Sequence, residues 1–334
     1  LACVLCLSMI FGTCTTTFAA VEDAFTGDTV NYVSLGASNV NGYGLDGYLP
    51  EGTTAANKNT ANVFGYRQCP SGSYVDLVGK ELEDKGYSVN TSQLAISSMR
   101  VEELRVLLDE DYMGDAYTAW RFIGPGKWFE NAAVTGGLDA LRADYADSIA
   151  DADLITVDIG VNNFGVYLSN QIASGGTAYD DDLSLVDPEL AETYNNAKAY
   201  VYELIEEHAD EYADDVSELE FAVDAMTYAL AGFCINFDIV MEKIYELNPD
   251  ATVVAVSIQN LMEGLEATVP GVDGPVPFGE LFGALVDAAN LYIAAGSPYS
   301  DDYLFADVSE NGRVEFFLDQ LLAYDGSPAS LDRD

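Results

Sequence analysis

Apolar positions along this chain fall into short continuous runs with longer helical stripes between them. Five runs read as strands, at about 29–35, 87–96, 154–159, 251–258 and 303–308. Runs such as Val253-Val254-Ala255-Val256 show no polar alternation, which suits strands covered on both faces. Leu281, Phe282, Leu285, Val286, Ala289, Tyr292 and Ile293 recur at i, i+3, i+4 spacing and predict a helix with one buried face. Strands alternating with helices predict an α/β fold, a three-layer α/β/α sandwich around a mainly parallel five-stranded sheet.

The ends of two of these runs carry the candidate chemistry. Residues 30–44 read VNYVSLGASNVNGYG: the apolar run stops at Gly36, Ser38 follows, and Gly42 and Gly44 let the chain turn. Residues 154–163 read LITVDIGVNN and end in Gly160, Asn162 and Asn163. Open α/β sheets bind ligands at the carboxyl ends of their strands. A serine and an amide at two such ends therefore predict one site shared across the sheet. The competing reading is that both side chains only satisfy turn backbone.

Three segments in this order resemble the blocks of the SGNH, or GDSL-type, hydrolases. Gly36-Ala37-Ser38 stands in the place of the family's Gly-Asp-Ser, with Ala37 replacing the aspartate. Residues 93–104, QLAISSMRVEEL, resemble the second block, with Ser98 where the family has an oxyanion-binding glycine. Gly160-Val161-Asn162 matches the Gly-x-Asn block. The resemblance spans most of the chain from about residue 30 on, and it implies the flavodoxin-like fold of that family. It also implies ester hydrolysis through an acyl-enzyme, with no metal or organic cofactor. Ser38 would be the nucleophile, and the N–H groups of Ser38 and Ser98 and the Asn162 side chain would hold the oxyanion. Short acyl esters or acetylated carbohydrates lead the family's substrate range.

The family's Asp-x-x-His block has no full counterpart. Tyr324-Asp325-Gly326-Ser327-Pro328 comes nearest, with Ser327 in the histidine's place. The single histidine, His208, lies in VYELIEEHADEY, on a stripe with Val201, Leu204, Ile205 and Tyr212 that predicts an inward-facing structural residue. Three explanations stay open. The recorded chain stops short of its base, His208 substitutes for it, or the protein is a non-catalytic extracellular binding relative of the same fold.

Composition narrows the partners. The net charge is −43, from 56 acidic and 13 basic residues. Such a surface repels phosphate backbones and anionic membranes, which excludes nucleic-acid binding and disfavours polyanionic substrates. Residues 1–20, LACVLCLSMIFGTCTTTFAA, resemble the apolar and cleavage regions of a secretory signal peptide, short for a membrane span. The expectation is a secreted protein without stable membrane insertion, forming a single domain from residue 25 to 334. Cys69 and Cys234 would remain in the mature chain, either as one disulfide or as two buried thiols.

Stretches at 45–72 and 165–215 read as insertions. The second opens with an acidic loop at 174–188 that either gates the site or is a plain surface excursion. Asp180-Asp181-Asp182 lacks the spaced oxygen ligands of a calcium loop. Trp120, Phe122, Trp128 and Phe129 frame a Gly-Pro-Gly turn and either pack or line a substrate pocket. Arg100, just beyond Ser98, either orients that block or pairs with an acidic neighbour.

Overall fold

The computed structural model describes residue 25 and residues 27–48, 65–125, 127–131, 134–173, 191–212, 220–268, 275–276 and 278–308. For 170–173, 191–192, 204–212, 220–222, 267–268 and 275–276 it describes the backbone alone. Five parallel strands form the central sheet: β1 (Thr29–Gly36), β2 (Ser88–Gln93), β3 (Leu154–Asp158), β4 (Thr252–Val256) and β7 (Leu304–Ala306), in the order β2-β1-β3-β4-β7. This is the flavodoxin-like arrangement, and all five predicted strands are present. A separate two-stranded hairpin, β5 (Ala267–Thr268) and β6 (Pro275–Val276), escaped prediction because two-residue strands leave no periodic signal.

The pleat of β1 divides the molecule. Val30 and Tyr32 face one side, where α1 (Tyr74–Asp84) covers them with Val75 and Leu82. Val33 and Leu35 face the other side and join Ile155, Val157, Val253 and Ala255 in the main core. Helices α2 (Val101–Leu108), α4 (Leu138–Ala150), α5 (Val161–Ala173), α7 (Glu220–Leu247) and α8 (Phe278–Leu291) build that core, so helices lie on both faces of the sheet. The short α3 (Ala116–Arg121) follows α2, and α6 (Ala191–Tyr212) packs on α7. Residues of the predicted stripe, from Leu281 to Ala289, are buried on α8, and the stripe continues through Ile293 in a π turn at Tyr292–Gly296.

α7 was not foreshadowed by a stripe because it is apolar on most sides. It packs against α2, α4, α5, α6 and α8 at once, and a helix enclosed in this way loses its polar face. Buried Phe233, Phe237, Val240, Met241 and Ile244 run down it.

The 165–215 stretch begins differently from the expectation. α5 starts at Val161, immediately after Gly160, and carries the chain to Ala173 as helix. His208 lies on α6, where Tyr194, Ala197 and Val201 form a buried stripe at helical spacing; its own side chain is outside the described residues. So are residues 1–20, the acidic loop at 174–188 with Asp180-Asp181-Asp182, most of the 45–72 insertion, and Tyr324-Asp325-Gly326-Ser327-Pro328. Cys69 and Cys234 are both free thiols, Cys69 exposed and Cys234 buried, so neither the disulfide nor the pair of buried thiols describes them fully.

Candidate active site

Ser38, Ser98 and Asn162 all follow the carboxyl ends of strands that are neighbours in the sheet, β1, β2 and β3. Gly36 at the end of β1 pairs with Asp158 at the end of β3, and Ser34 pairs with Gln93 at the end of β2. The three loops thus leave one rim of the sheet side by side. Gly36 is required there by space as well as conformation. Its φ is 152°, and an added Cβ would stand 2.1 Å from the Asp158 carbonyl oxygen and 2.4 Å from Val40. Gly160 is similar, with φ 132° and Ile258 2.4 Å from a built Cβ.

Amide side chains tie the loops together. Asn41, buried in the turn after Ser38, donates from Nδ2 to Ser97 Oγ at 3.1 Å, and the Tyr48 hydroxyl shares that Ser97 oxygen at 2.8 Å. Asn162 Nδ2 donates to the Met99 carbonyl at 2.9 Å, which holds its carboxamide against the residue after Ser98. Asn163 accepts from the Val101 N–H at 3.0 Å and donates to Glu102 Oε2 at 2.8 Å, anchoring the first turn of α2. Asn39 Nδ2 donates to Asp158 Oδ1 at 2.6 Å.

Within this frame several donors are free. The N–H groups of Ser38 and Ser98 find no acceptor among the described residues. Asn162 uses one of its two N–H bonds on Met99, leaving the other. Ser38 is half-buried, and its hydroxyl makes no hydrogen bond to a described residue. Ser98 has φ 67°, in the left-handed region that glycine occupies freely, at a cost of about 1–2 kcal/mol for a residue with a Cβ. The residue type departs from the family's glycine, but the backbone conformation is one glycine would serve.

Arg100 lies beneath the second loop, 1% exposed. It pairs with an acidic neighbour on each side. Nη2 reaches Glu103 Oε1 at 2.7 Å and Asp115 Oδ1 at 2.8 Å, Nη1 reaches Asp115 Oδ2 at 3.0 Å, and Nε reaches Glu103 Oε2 at 3.1 Å. Its backbone N–H also donates to Glu103, which closes the start of α2. Burial raises the pKa of nearby Glu102, and the Arg100 charge opposes that rise. Asp115 is held below the ordinary carboxylate range: its bonds to Arg100 and Thr118 outweigh burial, the largest single effect on it.

Residue-type reasoning missed Asn39, Asn41 and Asp158, and it gave Asn163 no role of its own. The signal available was a charge inside an apolar strand: Asp158 interrupts the run Leu154–Ile159. It is buried at the end of β3, and burial pushes its pKa up to about 7 against the lowering effect of the Asn39 bond. In the aromatic cluster around the Gly-Pro-Gly turn, packing accounts for Phe122, Trp128 and Phe129. Phe122 and Phe129 are fully buried and meet at a tilt with ring centres 4.9 Å apart, Trp128 packs edge-on to Phe122 at 5.5 Å, and Trp120 is 60% exposed.

No protein-family model and no curated protein matches the chain. Among solved structures it is similar to the extracellular lipase of Streptomyces rimosus, at 15% identity and a TM-score of 0.37, over 84% of this chain and 80% of that one. It is similar also to phospholipase A1 of Streptomyces albidoflavus NA297, at 16% identity and a TM-score of 0.37, over 90% of this chain and 83% of that one.

Proposed function

We propose that this protein is a secreted serine ester hydrolase of the SGNH class. The observation that supports the reading is that three loops leaving neighbouring strand ends carry a serine hydroxyl and N–H donors that find no partner among the described residues. Ser38 Oγ attacks the ester carbonyl carbon and gives its proton to a base. The carbonyl oxygen gains negative charge and is met by the N–H groups of Ser38 and Ser98 and the second N–H of Asn162. Donors fixed in advance at such a position lower the barrier by about 3–4 kcal/mol each. Collapse of the tetrahedral species expels the alcohol and leaves an acyl group on Ser38, which water then removes. The Met99 carbonyl orients Asn162, and Asn41 holds the serine turn against the second loop. Short acyl or acetyl esters, including acetylated carbohydrates, are the proposed substrates.

A second reading is a ligand-binding protein on the same fold. The observation that favours it is the lack of a proton acceptor for Ser38 among the described residues. Turnover of p-nitrophenyl acetate by the full chain and by Ser38→Ala separates the two. The hydrolase reading expects a loss of at least about a thousandfold in kcat/KM on removing the nucleophile. Equal rates in the two proteins take Ser38 out of the mechanism.

A further inference from the structure

Arg121 closes α3 beside the Ser98 loop, and its Nη2 donates to Ser98 Oγ at 3.4 Å. Its guanidinium carbon lies 4.3 Å from the Trp128 ring centre and 5.7 Å from that of Trp120. Its Nε is buried and has no hydrogen-bond partner among the described residues. Among the described residues no carboxylate pairs with Arg121, nor with Lys127 on the same loop. Most other described cations are paired: Arg67, Lys80, Lys85, Arg100, Arg105, Lys198 and Lys243 each meet an aspartate or glutamate. Arg142 has no such pair, but it donates to the backbone carbonyls of Val106 and Tyr112.

With 56 acidic residues available against 13 basic ones, an arginine that meets neither a carboxylate nor a backbone carbonyl among the described residues stands out. The Trp128 ring lies against the face of the guanidinium and leaves its in-plane N–H bonds able to donate. Such an arginine suits a planar or tetrahedral oxyanion approached edge-on. We propose that Arg121, flanked by Trp120 and Trp128, is a subsite for a carboxylate or phosphate group carried by the substrate, with Lys127 adding positive field from the same loop. The word substrate rests on the hydrolase reading; the anion site itself does not. The contact to Ser98 places the bound anion next to the loop that holds one oxyanion donor. Charge recognition and carbonyl orientation are thereby linked. The overall negative surface still turns polyanions away, so the subsite selects an ester bearing a single anionic group.

Trp120 and Trp128 are the chain's two tryptophans, so tryptophan emission, excited where the 21 tyrosines do not absorb, reports on this place. The test titrates the full chain with succinate and, separately, with inorganic phosphate, at ionic strength held constant with sodium chloride. A saturable fluorescence change is expected, with affinity at least tenfold weaker in Arg121→Gln. The anion giving the tighter curve identifies the group as carboxylate or phosphate. No saturable change with either anion in the unaltered protein, or equal affinity in Arg121→Gln, overturns the proposal. Should the glutamine variant misfold, Arg121→Lys replaces it: loss of the planar fork should weaken binding several-fold, and unchanged affinity again overturns it. A turnover arm compares mono-p-nitrophenyl succinate with p-nitrophenyl butyrate. The ratio of their kcat/KM values should favour the anionic ester and fall at least tenfold in Arg121→Gln. If neither ester is cleaved, the hydrolase reading fails, and the fluorescence titration still decides the anion site.

Discussion

Asp158 ends the middle strand of the sheet, and burial there holds its proton until about pH 7. In the unfolded chain the same carboxyl ionises near its ordinary value of 3.8. Between those two values the native state binds a proton that the unfolded state has released, so this residue's contribution to stability falls as pH rises and levels off above about 7. Asp158→Asn should remove that decline. Its thermal midpoint should exceed that of the unaltered protein at pH 8, and the gap should close towards pH 4. Parallel melting curves across this range would refute the buried acid. Asn39 can accept the new amide, since its own side-chain oxygen is buried without a partner. Ser38 and Asn162 could be placed at strand ends from sequence because each follows an apolar run that ends in small or polar residues, whereas Ser98 was placed by the resemblance of its block. The residues that hold them could not, because Asn39, Asn41 and Asn163 act through contacts to residues far away in the chain, as in the bond from Asn163 to Glu102.

At the scale of elements, Arg100 joins the start of α2 to the start of α3, because Glu103 lies in the first helix and Asp115 caps the second. Replacing it with methionine would leave Glu103 buried with its charge uncompensated. Arg100→Met should therefore cost about 3–5 kcal/mol of unfolding free energy in urea titrations; a change below about 1 kcal/mol would show that the network is not holding the two helices together. The Ser98 loop precedes α2, so Arg100→Met should also disturb the rim. Strands and the α8 stripe were legible because period and burial coincide in them. α7 was not: enclosure by five other helices erased the polar face by which a helix announces itself. The β5–β6 hairpin was too short to leave a pattern, and α5 starts where the sequence shows only a glycine and two asparagines.

For the molecule as a whole, −43 net charges on 334 residues repel one another in the compact state. Mobile ions reduce that repulsion beyond a Debye length of about 10 Å at 0.1 M salt. Raising sodium chloride from about 0.01 M to about 0.5 M should therefore raise the thermal midpoint, and a midpoint that falls or stays level would show that the charges are already compensated locally. The strand order has a further consequence. β1 must accept β3 along one edge, and that pairing joins Tyr32 to Leu154 across more than a third of the chain. A nascent chain that has emerged only as far as α4 can dock β1 with β2 but has no third loop to offer. Asn162 arrives after β3, so the rim is completed late in synthesis, and until then the N–H groups of Ser38 and Ser98 would be the only ones of the three proposed donors in place. On the hydrolase reading proposed above, an early fragment would lack the amide that completes the donor set, so full activity would wait for the second half of the sheet.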